Sequence, residues 1–231
     1  MTRFTVVLTV LLVASVAARE ETVSTTLPPK ATTELDKSLD AASRHPSHVW
    51  RDTPPLNADG TLNGYVEISR GDRRKWGFDM GTNRLALVRT IPAEVGGYPV
   101  NYGFVPQTIS YDGDPFDVLV LGPAIEGGRL VRGVIVGVLR MHDEKGVDSK
   151  VVMSPVVPGS PAYTLTDAER QRIDTYFDRY QTHEPGKFSN VVGWGDVVEA
   201  RSYVSTTHAF YETCRDHADS SCTLATTPST R

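Results

Sequence analysis

Between Gly64 and Val157 the chain returns repeatedly to short β-branched runs with no helix-length segment between them, and no other feature limits its fold as strongly. The runs are GYVEIS (Gly64 to Ser69), LALVR (Leu85 to Arg89), FDVLVLG (Phe116 to Gly122), VRGVIVGVLRM (Val131 to Met141) and KVVMSPVV (Lys150 to Val157). Gly, Pro, Asn and Asp separate them, as turn residues separate strands. Spacing this close predicts an antiparallel barrel rather than a doubly wound sheet. Gly133 and Gly137, inside the longest run, suit the bends that close a small barrel.

The period then changes. TDAERQRIDTYFDRY (Thr166 to Tyr180) opens with Thr166 and Glu169 in capping-box spacing, carries Ile173, Phe177 and Tyr180 on one face, and stops before Pro185-Gly186. A second helix, capped by Asp196, follows VVGW with Ala200, Val204, His208 and Tyr211 on one stripe. The expected class is therefore α+β, mainly β: a small closed antiparallel β-barrel, OB-like, with two C-terminal helices packed on it.

A chain of 231 residues, 39% hydrophobic, has material for one substantial core plus tails. The division expected is an export signal at 1–18, a flexible leader at 19–45, a folded domain at 46–212 and a tail at 213–231. The signal rests on Arg3, the apolar run Phe4 to Val13 and the small residues Ser15 to Ala18. That run falls short of the roughly 20 residues of a bilayer span, although an uncleaved anchor is the alternative. The leader is rich in Thr, Ser, Pro and charge, with almost no large apolar residue. Export to a periplasm or out of the cell places the only cysteines, Cys214 and Cys222, in an oxidising compartment, where an even pair at short spacing reads as a disulfide. A formal net charge of −4, with basic residues scattered singly, excludes a protein that grips nucleic acid by bulk electrostatics. Once the signal is removed, nothing calls for a membrane.

The chemistry concentrates in SYDGDPFDVLVLG, where Asp112, Asp114 and Asp117 fall within six positions at the mouth of a strand. Asp112 and Asp114 share a side of an extended segment, and Pro115 turns the chain so that Asp117 returns to the same space. Like charges this close cannot all ionise in a low-dielectric site without a cation. Hard oxygen ligands suit Mg²⁺ or Mn²⁺. The plainer reading is a solvated Asp-Gly turn. A second acidic group, Asp143 and Asp148 with Lys150 in MHDEKGVDSK, lies at the far end of the long strand, where a barrel brings it to the same rim; its plainer reading is a polar hairpin loop. Lys75 and Arg89 at strand positions, with Tyr98 and Tyr102 just before the aspartates, add the groups that neutralise a phosphate. No Gly-rich phosphate loop and no nucleophile elbow occurs. The residues alone thus reach a metal-assisted phosphoryl hydrolase acting on a small ester or anhydride.

With its flanks, DGDPFDVLVLG resembles the signature of the soluble Mg²⁺-dependent inorganic pyrophosphatases. YVEIS, KWGFD, YPVNYGFVPQT, VGVLRMHDEKGVDSK and FDRYQTHEPGKFSNVVGW fall in that family's order over Gly64 to about Tyr211. The resemblance implies hydrolysis of pyrophosphate to two orthophosphates by a metal-bridged hydroxide. Several Mg²⁺ ions per site are implied, with Mn²⁺ or other divalent ions as substitutes. It further implies that Asp112, Asp117 and Asp148 hold a first metal, that Asp117 is shared with a second, and that Asp143 with Asp148 holds one arriving with substrate. Asp114 matches the general base. Lys75, Arg89, Tyr102, Lys150 and Tyr180 match the groups on pyrophosphate oxygens, and Glu67 and Tyr98 stand behind them. A homo-oligomer, hexamer or dimer, is also implied.

Three departures stand out. Where the family usually reads Lys-x-Glu this chain has Lys75-Trp76-Gly77, and where a Lys usually follows the tyrosine it has Gln181. Most members also lack an export signal. One anion and one cation are lost together, so activity is expected to survive with altered metal affinity. The alternative is a metal- or phosphate-binding module on the same fold with little or no turnover.

Overall fold

In the computed structural model, residues 29–215 are described, the side chains of 29–34 excepted. Helices α1 (Pro29–Ser43) and α2 (Val49–Asp52) precede strands β1 (Leu62–Ile68), β2 (Arg74–Asp79), β3 (Arg84–Thr90), β4 (Asn101–Phe104), β5 (Asp117–Val120), β6 (Leu130–Asp143), β7 (Gly146–Val147) and β8 (Lys150–Pro155). Helix α3 (Asp167–Phe177), strand β9 (Ser189–Gly195) and helix α4 (Val197–Cys214) follow. The fold is a mixed, sheet-dominated α+β arrangement with four helices among the described residues. No described helix is long and apolar enough to cross a membrane.

The main sheet runs β1-β4-β5-β8-β6-β7, with β9 on β6 and a further pairing of β1 with β6; β2 and β3 form a separate hairpin. The expected all-antiparallel sheet needs correction, because β5 and β8 run parallel, Val118 opposite Val151 and Val120 opposite Met153. Turn spacing constrains only strands adjacent in sequence. Here β6 and β7 lie between the two partners, so local signals carried no information on their direction. The long β6 shifts register between Ile135 and Gly137, inside the run marked by the two expected bending glycines.

Both expected C-terminal helices form. Thr166 caps α3, its side chain accepting from the Glu169 N–H while the Glu169 carboxylate returns to the Thr166 backbone, which satisfies two orphan donors at once. Asp196 caps α4 by accepting from the Glu199 N–H. The buried stripe of α4 takes in Ala200, Val204 and Tyr211, and Ala200 and Val204 pack on the cluster of Leu62, Val66, Phe116, Val118 and Met153.

The leader expected to be flexible over 19–45 is helical from Pro29 to Ser43. Composition missed it because so few apolar residues suffice: Leu35, Leu39 and Ala42 share one stripe at helical spacing. Leu35 and Ala42 are fully buried beside Trp50, Tyr65, Phe104 and Phe210. Leu35→Ala is expected to cost about 2 kcal/mol, the low end for a core leucine because α1 can shift to fill the gap; urea unfolding measures it. Residues 1–18, with the expected signal, and Cys222 of the expected Cys214–Cys222 pair lie outside the described residues, while Cys214 is buried at the end of α4.

Candidate active site

Asp117 opens β5 and Lys150 opens β8, and the parallel register sets them side by side. Lys150 is fully buried, with Nζ 2.5 Å from Asp117 Oδ2 and 2.8 Å from Asp148 Oδ1. Burial opposes its charge, yet the two carboxylates outweigh that cost and hold the ammonium well above its ordinary range. The parallel pairing that sequence could not foresee is thus what assembles this triad. Asp148 remains pushed up to about 7, burial and the charge of Asp117 together exceeding the relief from Lys150.

The loop before β5 is the expected Asp-Gly turn and a carboxylate cluster together. The Ser110 N–H donates to the Asp114 carbonyl at 2.6 Å, the Gly113 N–H to the Ser110 carbonyl at 3.0 Å, and the Asp114 N–H to Asp112 Oδ1 at 3.1 Å. Asp112, Asp114 and Asp117 then line a cavity of about 110 Å³ that Asp143, from the end of β6, and Asp148 also face. Asp114 is pushed up to about 7 by desolvation and the neighbouring Asp112 carboxylate. Asp112 goes the other way. Burial works against its ionisation, but the charge and hydrogen bond of Lys145 prevail and hold it below the usual carboxylate value.

The cations come from the β2–β3 hairpin, where Lys75 lies directly opposite Arg89. Like charges facing across strands destabilise a hairpin, so this pair needs an anion. Burial, then the charge of Arg89, lowers the Lys75 value. Arg89 Nη1 finds Glu184 Oε1 at 2.5 Å, while its Nε and Nη2 are buried without a hydrogen-bond partner. Lys75, Tyr102 and Tyr180 line the 110 Å³ cavity; the Lys75 ammonium lies 5.9 Å from the Tyr180 ring centre.

The remaining expected residues lie behind this surface. Glu67 is buried on an adjoining groove of about 480 Å³, accepts the Phe78 N–H at 2.7 Å, and is pushed up to about 8 by burial. Tyr98 is buried beneath Tyr102, ring centres 5.5 Å apart. Gly77 lines the same groove, as do Lys37 and Ser38 of α1. Gln181 is buried with its amide donating to the Tyr180 hydroxyl.

Sequence reasoning missed Lys145, Glu184 and Lys187. Lys145 and Lys187 line the cavity, and Glu184 bridges Arg89 and Lys187, the latter at 3.1 Å. Their only sequence signal was charge in turns, which exposed loops share.

The donor set fits hard divalent cations: the cavity is lined by aspartate oxygens, with no His or Cys among its lining residues. Two of these carboxylates are pushed up to about 7, by burial first and by neighbouring carboxylates, despite the ammonium groups beside them. Among the described residues no three such side chains already form a metal-holding group. Ammonium groups hold the carboxylates instead, Lys150 between Asp117 and Asp148 and Lys145 beside Asp112.

Residues 64–212 match the family model described as inorganic pyrophosphatase. The inorganic pyrophosphatase of Saccharolobus solfataricus is 33% identical over 159 residues, covering 65% of this chain and 92% of that protein. That of Ralstonia nicotianae is 37% identical over 161 residues, covering 66% and 91%. The solved inorganic pyrophosphatase of Thermus thermophilus superposes with a TM-score of 0.65 at 31% identity, over 72% of this chain and 99% of that one. A match across most of the folded chain, in sequence and in structure, places this protein in the inorganic pyrophosphatase family.

Proposed function

We propose that the chain hydrolyses inorganic pyrophosphate to two orthophosphates at this cavity, with Mg²⁺ as the natural metal. One observation carries the reading: Lys75 lines the cavity of five aspartates and is opposed across its hairpin by Arg89, whose buried Nε and Nη2 have no hydrogen-bond partner, so more carboxylates converge there than the ammonium groups of Lys145 and Lys150 pair with. An anion bound together with divalent cations satisfies both at once. Asp112, Asp117, Asp143 and Asp148 would hold the cations, which when bound acidify water and neutralise phosphate charge.

The chain's own residues do the rest. Lys75, Arg89 and Lys150 collect charge on the phosphate oxygens, and Tyr102 and Tyr180 orient them through hydroxyls that burial keeps protonated. Asp114, near 7 and more exposed than its neighbours, takes the proton from the attacking water on a carboxylate oxygen. Glu67 and Tyr98 fix the hairpin and the Tyr102 ring from behind. A binding module would have no use for a carboxylate poised to move a proton, which disfavours that alternative.

The reading extends to the scaffold and the setting. The pairing of β1 with both β4 and β6 supports a small OB-like barrel as the frame. Exposed Leu130, Val134, Val156 and Val157 support self-association as a dimer or hexamer. Export to a periplasm or out of the cell rests on the N-terminal sequence alone. Exhaustive chelation is expected to reduce phosphate release from pyrophosphate to background, with Mg²⁺ restoring it. Release that persisted after chelation would contradict the role given to the aspartates.

A further inference from the structure

The turn between β6 and β7 consists of Glu144 and Lys145 alone, with Asp143 opposite Gly146. Gly146 has φ +124°, and a Cβ there would stand 2.9 Å from the Tyr111 ring. The turn therefore lies flat on Tyr111, the residue before Asp112. From that position Lys145 Nζ reaches Asp112 Oδ2 at 2.9 Å and stands 3.7 Å from Asp114 Oδ2, while its backbone N–H donates to Asp143 Oδ1 at 2.7 Å. One short turn thus engages three of the cavity's carboxylates.

We propose that Lys145 is a tethered competitor for the divalent cation: its ammonium occupies the Asp112 carboxylate, and a cation binds Asp112 by displacing it. The proposal rests on the reading of this cluster as a divalent-cation site. Lys150 is no rival for the role. It is fully buried on β8 and locked between two carboxylates, whereas the Lys145 side chain is 51% exposed on a two-residue turn and can swing into water at little cost. Asp112, at 24% exposure, is sheltered enough for the pair to outlast an ordinary surface contact. Lys145 has two consequences: the cation-free cluster is spared much of its self-repulsion, and the cation concentration needed to fill the site is raised.

A surface ion pair would shift cation affinity by less than about fivefold. A charge-assisted bond to a sheltered carboxylate shifts it by about tenfold or more. The test is calorimetric titration of the chelator-treated full-length protein with Mg²⁺ alone, comparing wild type with Lys145→Ala and Lys145→Gln, each checked by circular dichroism. Both variants are expected to bind Mg²⁺ about tenfold more tightly and, without Mg²⁺, to melt at lower temperature than wild type. Affinity equal to or weaker than wild type in both variants overturns the proposal. If wild type binds and the variants match it, only this inference falls; if none of the three binds Mg²⁺, the cation reading of the cluster falls with it.

Discussion

Lys150→Met is expected to destabilise the cation-free protein by about 3 kcal/mol, because removing one partner of a buried ion pair leaves an uncompensated charge. Two carboxylates, Asp117 and Asp148, would then face each other without the ammonium that now lies 2.5 and 2.8 Å from them. The figure is taken from the low end of such losses because both side chains keep about a fifth of their surface exposed, 20% and 22%. Methionine replaces much of the lost contact with the rings of Tyr102 and Phe177, which lie 5.6 and 5.8 Å from the ammonium. Mg²⁺ is expected to restore part of the stability, since a divalent cation can neutralise both aspartates. It does not restore turnover, because the variant lacks a cation for the substrate. Urea unfolding with and without Mg²⁺, beside phosphate release, measures all of this. A variant as stable as wild type in chelator would show that the triad contributes little.

Asp114→Asn is expected to lower kcat by roughly 10²- to 10⁴-fold, the usual contribution of a positioned general base. The amide keeps the size of the side chain but cannot take the proton. Asp114 is the most exposed of the three loop aspartates and makes no close bond to Lys150, so cation affinity should change far less than turnover. Asp117→Asn should damage both, since Asp117 anchors Lys150 and lines the cavity. Steady-state kinetics set against Mg²⁺ titration separates the two. Wild-type turnover in both variants would overturn the assignment of roles.

The parts of the fold that sequence made legible are those whose signal is local. Thr166 with Glu169, and Asp196 with the stripe behind it, specify helix starts by hydrogen bonds within one turn, and both helices begin there. The β-branched runs became β1, β3, β5, β6 and β8. Strand β4 escaped because NYGF carries no β-branched residue; its Gly103 is there because a Cβ would stand 1.8 Å from the Tyr65 carbonyl oxygen on β1. Strand β9 read as an approach to α4, and its pairing with β6 is long-range. Helix α1 depends on an aromatic cluster assembled from Trp50, Phe104 and Phe210, far apart in sequence.

The site divides along the same line. Three aspartates within six positions announce a charge problem by themselves, and Asp143 and Asp148 follow on the next hairpin. What solves that problem was illegible, since nothing local distinguishes Lys145 from any lysine in an exposed turn. Glu184, meeting Arg89 from a loop ninety-five positions away, was equally silent.

The most direct measurement is phosphate release by the purified protein from pyrophosphate with Mg²⁺, run in parallel with ATP and p-nitrophenyl phosphate. Fast, Mg²⁺-dependent release from pyrophosphate, with little from the other two, is the predicted result, and it would show that Gly77 and Gln181 are tolerated in a working site. A folded protein that released no phosphate from pyrophosphate with any divalent metal would contradict it and leave a binding module on an inherited fold.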